Sequence, residues 1–277
     1  MRVWSRPREV RPWLEILGSI ILVLSCFYFF EWSAVGTAIQ ETPFRAVALS
    51  LVLGLVQVLI GFERWRSVLV RSQCPHSFWP TAKVYARSHL LNHCLPGPWA
   101  GDALRTIELG KESQYRKVLK TVVVDRLSLP LSIGFLFCLT WTTHFSILVF
   151  ATISLALSVL LLSFHHHLLG RAVIYSVLLN IMTSIIFILL LGGSMAVTRD
   201  FVLVLPIFLF CLAVPISFNG WGIREWAAIS LFHGMGFQEE ELLAGAVMLG
   251  LVSFASAVGF VLLISSMTFI MRSHEES

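Results

Sequence analysis

Charged residues divide the sequence into long apolar windows. The windows free of Asp, Glu, Lys and Arg are 16–30, 46–62, 127–170, 172–198, 201–223 and 242–271. A helix needs ~20 mostly apolar residues to cross ~30 Å of hydrocarbon, and lipid offers backbone groups no partner outside the helix itself. The pattern predicts six membrane-spanning helices, at 13–32, 44–62, 120–141, 145–164, 172–193 and 242–270.

Two further segments, 78–110 and 201–233, contain interruptions that a continuous span lacks. The first breaks at Pro96-Gly97-Pro98, and the second offers only the short apolar run 201–214 before Pro215. Apolar runs of ~10–14 residues are more typical of re-entrant segments than of spans. We therefore predict that both segments are broken helices that return to the side they entered from.

The composition excludes an ordinary soluble domain. Of the 277 residues, 57% are hydrophobic and 13% are charged, with a mean hydropathy of +0.82, whereas roughly a quarter of the residues in a soluble domain are charged. The five cysteines are scattered singly through apolar stretches. We therefore expect no disulfide framework.

The basic residues predict an orientation. With the N-terminus in the cytoplasm, all of the 20 Lys and Arg residues except Arg45, Arg199 and Arg224 fall on the cytoplasmic side, as the positive-inside rule expects. The first broken segment then enters from the cytoplasm and the second from the opposite face. Such an arrangement is that of an inverted repeat.

Together these patterns predict one all-α membrane domain over 1–277, a polytopic bundle of six full spans with two re-entrant broken-helix segments. The first half, about 13–141, contains 78–110, and the second half, about 145–270, contains 201–233.

The two interruptions carry matching chemistry. Arg105 lies nine residues after Pro96 and has an acid close to it, while Arg224 lies nine residues after Pro215 and is followed by an acid. A helix that restarts after a break points free N–H groups and its positive dipole end at an anion. Arginine adds a planar fork suited to phosphate oxygens. The competing interpretation is a pair of ordinary loops with anchoring arginines, and the paired occurrence favours a site.

A further charged pair, Asp125-Arg126, opens the long apolar window. Ionisable residues inside a membrane are functional candidates, and we expect Asp125 to pair with Arg105 when the site is empty. The predicted substrate-binding residues are Asn92, Pro96, Gly97, Gly101, Asp102, Arg105, Asp125, Arg126, Pro215, Ser217, Asn219, Gly220, Gly222, Arg224 and Glu225.

A metal centre is a weaker alternative. His89 and His93 stand four residues apart, with Cys74, His76 and Cys94 nearby in the sequence. Their spacings fit no standard zinc pattern, so we expect no metal ligand and no cofactor, and a polar lining role instead.

These motifs resemble the membrane-embedded part of lysylphosphatidylglycerol synthases and the stand-alone relatives of that region. The family pattern of Asn, then Pro-Gly, then Gly-acid-x-x-Arg is matched by Asn92, Pro96, Gly97, Gly101, Asp102 and Arg105. An acid-Arg-Leu pattern is matched by Asp125-Arg126-Leu127, where Asp125 replaces the more usual Glu. A later pattern is matched by Pro215, Ser217, Gly220, Gly222, Arg224 and Glu225, so the likeness runs over 13–270.

The resemblance implies a flippase-like domain that moves an anionic or modified lipid, such as a phospholipid or a polyprenyl phosphate, between leaflets. Because the family occurs across bacteria and archaea, the resemblance also implies a bacterial or archaeal plasma membrane. The sequence carries no counterpart of the soluble transferase domain, so we expect no lysyl transfer. We also find no Walker loop and no Gly-x-Ser-x-Gly elbow, which argues against an ATP-driven pump and against an enzyme. Transport would then be facilitated or coupled to an ion gradient.

Two alternatives stay open at this point. One is a membrane subunit that does not transport and instead holds a lipid- or glycan-synthesising enzyme. The other is a membrane transferase that acts on a lipid phosphate. The sequence contains no motif that identifies a co-substrate for such a transferase. We expect the chain to bind a membrane lipid and no nucleic acid. Formation of a homodimer also stays open.

Overall fold

Helices account for almost all of the part of the chain that the structure, a computed structural model, describes. The described residues are 32–74, 77–95, 99–110, 115–141, 168–192, 198–214 and 220–275. Within them, the helices are α1 (Trp32–Glu41), α2 (Phe44–Arg71), α3 (Phe78–Cys94), α4 (Trp99–Leu109), α5 (Tyr115–Trp141), α6 (Leu168–Leu190), α7 (Arg199–Ala213), α8 (Ile223–Phe232) and α9 (Glu239–Glu275). The all-α prediction is confirmed for these residues.

Four of the helices, α2, α5, α6 and α9, are long and apolar enough to cross a membrane. They correspond to the predicted spans 44–62, 120–141, 172–193 and 242–270. The predicted span 145–164, and 13–32 apart from its last residue, lie outside the described residues. Helix α2 continues to Arg71 because its charged C-terminal half finds partners, for example Glu63 with Arg66.

Helix α2 shows how these helices meet lipid on one face and protein on the other. Val52, Leu55, Val56 and Leu59 are exposed at helical spacing, as expected of a face turned to hydrocarbon. Small residues line the buried face. A methyl group at Gly54 would overlap the hydroxyl of Ser256, and one at Gly61 would meet the hydroxyl of Tyr85. The glycines therefore let α2 approach α9 and α3 closely.

The relative directions of the long helices follow from pairs of side-chain contacts. Gln57 Nε2 donates to Thr183 Oγ1 (2.6 Å), and Arg64 Nη1 donates to Ser176 Oγ (2.8 Å), so α2 and α6 run antiparallel. The Ser128 and Ser176 hydroxyls lie 2.8 Å apart. Asn180 Nδ2 donates to Ser132 Oγ over the same distance, so α5 and α6 run parallel.

The first interrupted segment is an antiparallel helical hairpin. Helix α3 ends at Cys94 and α4 begins at Trp99, around the predicted break. The Gly101 backbone N–H donates to Asn92 Oδ1 (3.0 Å). A methyl group at Gly101 would overlap both this amide oxygen and the Ser88 carbonyl, so glycine is needed for the close approach of α3 and α4.

The second interrupted segment is also a helical hairpin. Helix α7 ends at Ala213, and a turn at 220–222 leads into α8. The rings of Phe201, near the start of α7, and Phe232, at the end of α8, lie 4.5 Å apart between centroids. Phe187 of α6 stacks on Phe208 at 4.6 Å, within the largest apolar cluster of the described residues.

Both hairpins reach the middle of α9. His93, at the end of α3, contacts Phe254, with 6.3 Å between ring centroids. Arg224, at the start of α8, lies against Gly250. These two α9 residues are four positions apart, about 6 Å along the helix axis. The interrupted ends of the two segments therefore come to nearly the same level.

Candidate functional site

A cavity of about 370 Å³ lies where the two interrupted segments approach each other. The first segment contributes Asn92, His93 and Arg105, and the second contributes Leu212, Ala213 and Gly220. The long helices complete the wall with residues that include Gln57, Arg64, Asp125, Arg126, Asn180, Thr183, Ser253 and Ser256. The volume is within the range of small-molecule sites.

The cavity sits at the mid-length of the long helices. Gln57 lies at the middle of α2, which runs from Phe44 to Arg71, and Leu179 lies at the middle of α6. Ser256 lies close to the middle of α9. At about 1.5 Å per residue these helices extend ~15–30 Å on each side of the cavity. The cavity therefore reaches the mid-length of helices that are long and apolar enough to cross a membrane.

Asp125 on α5 lies between two arginines from different helices. Its Oδ2 accepts from Arg105 Nη1 at 3.4 Å. Its Oδ1 lies 2.8 Å from Arg64 Nε. The Arg64 N–H does not point at this oxygen, and neither atom has a hydrogen-bond partner among the described residues. That contact is therefore an ion pair without a formed hydrogen bond.

A second ion pair joins α4 to α5. Arg126 donates through Nε to Asp102 Oδ2 (2.7 Å) and through Nη2 to Asp102 Oδ1 (3.0 Å). This bidentate geometry is the strongest form of an arginine–carboxylate contact. Arg105 Nη1 lies 3.9 Å from Asp102 Oδ1, which connects the two pairs into one cluster.

Arg105 is held on every side. Its Nε donates to Ser88 Oγ (2.7 Å), and its guanidinium lies over the rings of Trp65 and Tyr85 at 4.9 and 4.6 Å. The residue is only 3% exposed. Aromatic faces attract a cation, so these rings help to hold the Arg105 guanidinium where it borders the cavity.

The charges of this cluster do not cancel. The cluster, named here the arginine cluster, consists of Arg64, Arg105, Arg126, Asp102 and Asp125. Three guanidinium groups and two carboxylates leave one formal positive charge, about 10 Å along α2 from the middle of that helix. A buried excess charge is costly unless something pairs with it. The arrangement is suited to an anion.

Uncharged polar side chains surround another part of the cavity. Gln57 Nε2 donates to the Leu179 carbonyl (3.1 Å) as well as to Thr183. Asn180 and Ser253 also line the wall. Gln57 precedes Arg64 by seven residues on α2, about 10 Å along the axis. The cavity thus has a cationic part and a neutral hydrogen-bonding part.

The structure brings several predicted site residues together and places three others, Gly222, Arg224 and Glu225, away from them. Asn92, Arg105, Asp125, Arg126 and Gly220 border the cavity. Gly101 and Asp102 lie one layer behind it, through their bonds to Asn92 and Arg126. Pro96, Gly97, Pro215, Ser217 and Asn219 are outside the described residues.

Arg224 is not part of the cavity wall. Its Nε and Nη2 donate to Glu225 Oε1 (3.1 and 2.7 Å), and its guanidinium lies 4.6 Å from the Trp221 ring centroid. Gly222, the N-cap residue just before α8, has a φ of +85°, a conformation that favours glycine, and its N–H donates to Glu225 Oε2 (2.6 Å). In this conformation Arg224 braces the start of α8 against α9.

This bracing gives a test of stability. A methyl group at Gly250 would overlap the Arg224 guanidinium. We therefore expect Gly250→Ala to lower the free energy of unfolding by about 1–3 kcal/mol, as overpacking does. Chemical denaturation in detergent would measure it. Gly134→Ala on α5 is the control, because its methyl group meets nothing within 4 Å, and an equal loss in both variants would contradict the bracing role.

The sequence interpretation missed Arg64 and underrated the polar residues of the spans. Arg64 resembles an anchoring residue, since it is followed by Arg66 and Arg71 at the end of an apolar window. The sequence pattern does not reveal that Arg64 is buried, with only 7% of the residue exposed. Polar residues inside the apolar windows could have pointed to the cavity. Gln57 in window 46–62 and Asn180 in window 172–198 both line it.

Comparison with known families agrees with the resemblance noted in the motifs. The family model described as the lysylphosphatidylglycerol synthase TM region matches residues 13–171, more than half of the chain. The chain belongs to this family. The match includes the α3–α4 hairpin, Asp125 and Arg126, and it ends before α7 and α8. No curated protein and no solved structure matches the chain.

Membership in the lysylphosphatidylglycerol synthase TM-region family gives the cavity a membrane-lipid context. The arginine cluster lies within helices α2, α4 and α5, inside the matched range. Together with the long apolar helices, this supports a membrane-embedded, lipid-related function.

Proposed function

We propose that the chain carries an anionic lipid between the two leaflets of a bacterial or archaeal plasma membrane. The headgroup crosses through the mid-depth cavity, while the acyl or isoprenyl tails stay in the hydrocarbon outside the helices. The charge asymmetry of the sequence supports a cytoplasmic N-terminus. In this proposal the chain acts as a transporter and not as an enzyme.

One observation carries the proposal: a polar cavity bordered by three arginines reaches the mid-length of the long helices, where a lipid headgroup would meet its highest barrier. Moving a phosphate into hydrocarbon is prohibitive unless the charge is paired and hydrogen-bonded. Arg64, Arg105 and Arg126 would supply that pairing inside the bundle, where they border the cavity. The cavity would therefore lower the barrier that keeps lipids in their leaflet.

The directions of the hairpins support a re-entrant, inverted-repeat arrangement. Along α3, Tyr85 contacts Phe260 and His93 contacts Phe254, so α3 approaches the centre from the C-terminal end of α9. Helix α7 begins at the opposite end, where Phe201 contacts Phe237, just before α9 starts. Hairpins that enter from opposite faces and meet at the midplane are typical of alternating-access transporters.

The acids would keep the empty site stable. Asp102 and Asp125 pair with the arginines of the cluster, and Glu225 pairs with Arg224. A lipid phosphate would compete for the guanidinium groups that face the cavity, and the carboxylates would take them back after release. The same acids could carry a coupling proton. The sequence holds no nucleotide-binding loop, so a gradient or simple equilibration drives movement.

Blocking the cavity without altering a charge tests the proposal. We expect the purified chain, reconstituted into vesicles, to move a fluorescent anionic phospholipid between leaflets, measured by quenching of the outer leaflet. Ser253→Phe places a phenyl ring in the cavity wall and should lower the rate at least about tenfold, since the polar path is lost. Ser266→Phe adds the same ring at an exposed position of α9. Equal rates in the two variants would contradict transport through the cavity.

A further inference from the structure

We infer that a second lipid site lies outside the cavity, in a hollow between the end of α2 and the start of α6, and that it binds the phosphate of an anionic phospholipid that stays in its leaflet. Such a lipid does not enter the cavity, so its binding does not depend on transport. Three features support the site: the arginines that meet there, the level of the hollow along the helices, and the lipid-facing surfaces beside it.

Arginines from two helices converge on this hollow, which has a volume of about 360 Å³. Arg66 and Arg71 belong to the last two turns of α2, and Arg171 lies in the first turn of α6. Arginines at a span end are often only anchors. Like charges gathered around one hollow repel each other, however, and an anion bound between them removes the repulsion. The described wall of the hollow consists of Glu63, Arg66, Ser67, Val70, Arg71 and Arg171.

The one acid in this described wall leaves charged donors for a ligand. Glu63 accepts from Arg66 through Nε (2.8 Å) and Nη2 (3.4 Å), which leaves Nη1 of Arg66 outside the pair. Arg171, on the other helix, forms no ion pair with any residue that the structure describes. Guanidinium groups bind phosphate oxygens through planar forks. A phosphate in the hollow would therefore meet a charged donor on each helix.

The hollow lies at the level of lipid phosphates. Arg66 and Arg71 follow Gln57, at the middle of α2, by about 13–21 Å along the axis. Arg171 precedes Leu179, at the middle of α6, by about 12 Å. Half of a hydrocarbon core is ~15 Å thick, so in helices centred on the bilayer these guanidinium groups border the headgroups of one leaflet. Basic pockets between membrane helices at this level bind anionic headgroups.

The hollow is separate from the cavity and adjoins surfaces that face lipid. The two share no described wall residue. Residues seven apart, about two turns, lie on nearly the same helix face. Arg66 follows the exposed Leu59 of α2 by seven residues, and Arg171 precedes the exposed Leu178 of α6 by seven. Acyl chains could lie along these apolar surfaces while the phosphate stays in the hollow, so we assign a lipid and not a soluble phosphate.

Lipid binding to the detergent-solubilised chain, measured by native mass spectrometry, tests the site. Ser253→Phe is the background, because its ring occupies the cavity wall and reduces binding there. We expect dioleoyl phosphatidylglycerol to bind at least about tenfold more tightly than dioleoyl phosphatidylcholine, whose ammonium group would face the arginines. Adding Arg171→Gln should weaken phosphatidylglycerol binding at least about tenfold, since a hydrogen bond to a charged group is lost. Adding Arg87→Gln instead, which removes an exposed charge on α3, is the matched control.

The outcomes separate this site from the proposed function. Equal binding of the two lipids, or equal phosphatidylglycerol affinity in the Arg171→Gln and Arg87→Gln chains, overturns the site. Displacement of phosphatidylglycerol by an equal concentration of glycerol 3-phosphate would show that the hollow takes a soluble phosphate, and the lipid assignment would be wrong. A chain that moves no lipid in vesicles, but loses phosphatidylglycerol on Arg171→Gln, contradicts transport and supports the site. Transport together with equal affinities does the reverse.

Discussion

Changing Arg105 to glutamine will slow anionic-lipid movement in reconstituted vesicles by at least about tenfold, because a hydrogen bond to a charged group is worth about 1.5–3 kcal/mol. Arg105 is the cluster member that contacts both carboxylates and borders the cavity. Glutamine keeps a polar side chain there but removes the charge that would meet the phosphate. The charge of the cluster then falls to zero, so an anion gains no compensation.

The matched control is Arg87→Gln. Arg87 lies on α3 in the same hairpin, but its side chain is exposed and pairs with Glu108 at 3.4 Å outside the cavity. Exposed ion pairs contribute little to stability, so this variant should transport at the rate of the unmodified chain. A transport rate for Arg105→Gln that matches Arg87→Gln would show that the cluster does not handle the lipid.

The sequence was sufficient for the long helices and for the breaks, because both follow from local rules. Apolar length in lipid allows only helices, and the structure has them at the predicted windows 44–62, 120–141, 172–193 and 242–270. Proline and glycine favour helix ends through their own backbones. The ends of α3 and α7 fall where the sequence predicted interruptions, although Pro130 and Pro206 lie inside α5 and α7.

The composition of the site could be predicted only in part, because burial and partner choice depend on tertiary packing. The predicted pairing of Arg105 with Asp125 is present. It could be predicted because both residues belong to motifs. Arg64 joins them from α2, where it also donates to Ser176 of α6. No local pattern reveals such a contact between residues so far apart in the sequence.

The arginines of the two interrupted segments, Arg105 and Arg224, also differ in their surroundings. Their sequences suggest two equivalent cationic tips, but the structure gives Arg105 a place at the cavity and turns Arg224 toward Glu225 and Trp221. The difference comes from their neighbours. Asp102, three residues before Arg105, binds Arg126 instead, whereas Glu225, adjacent to Arg224, binds that arginine itself.

Asp125→Asn should destabilise the chain more than any other single change in the cluster. Asparagine keeps the shape of the side chain but leaves Arg64 and Arg105 without their shared carboxylate, and Asp125 is 3% exposed. Breaking a buried ion pair by removing one partner costs about 3–5 kcal/mol. Chemical denaturation in detergent measures this loss. Glu108→Gln, at the exposed pair with Arg87, should stay within about 0.5 kcal/mol of the unmodified chain.

A second substitution separates lost pairing from lost shape. Adding Arg64→Gln to Asp125→Asn returns the cluster to one positive charge, with Arg105, Arg126 and Asp102 remaining. If unpaired charge is the cause, the double variant is more stable than the sum of the single effects by about 0.5–3 kcal/mol, the range of coupling between contacting residues. Strict additivity would mean that Arg64 and Asp125 do not interact, despite their separation of 2.8 Å. Because the double variant keeps the net charge, it should also retain more lipid movement than Asp125→Asn alone.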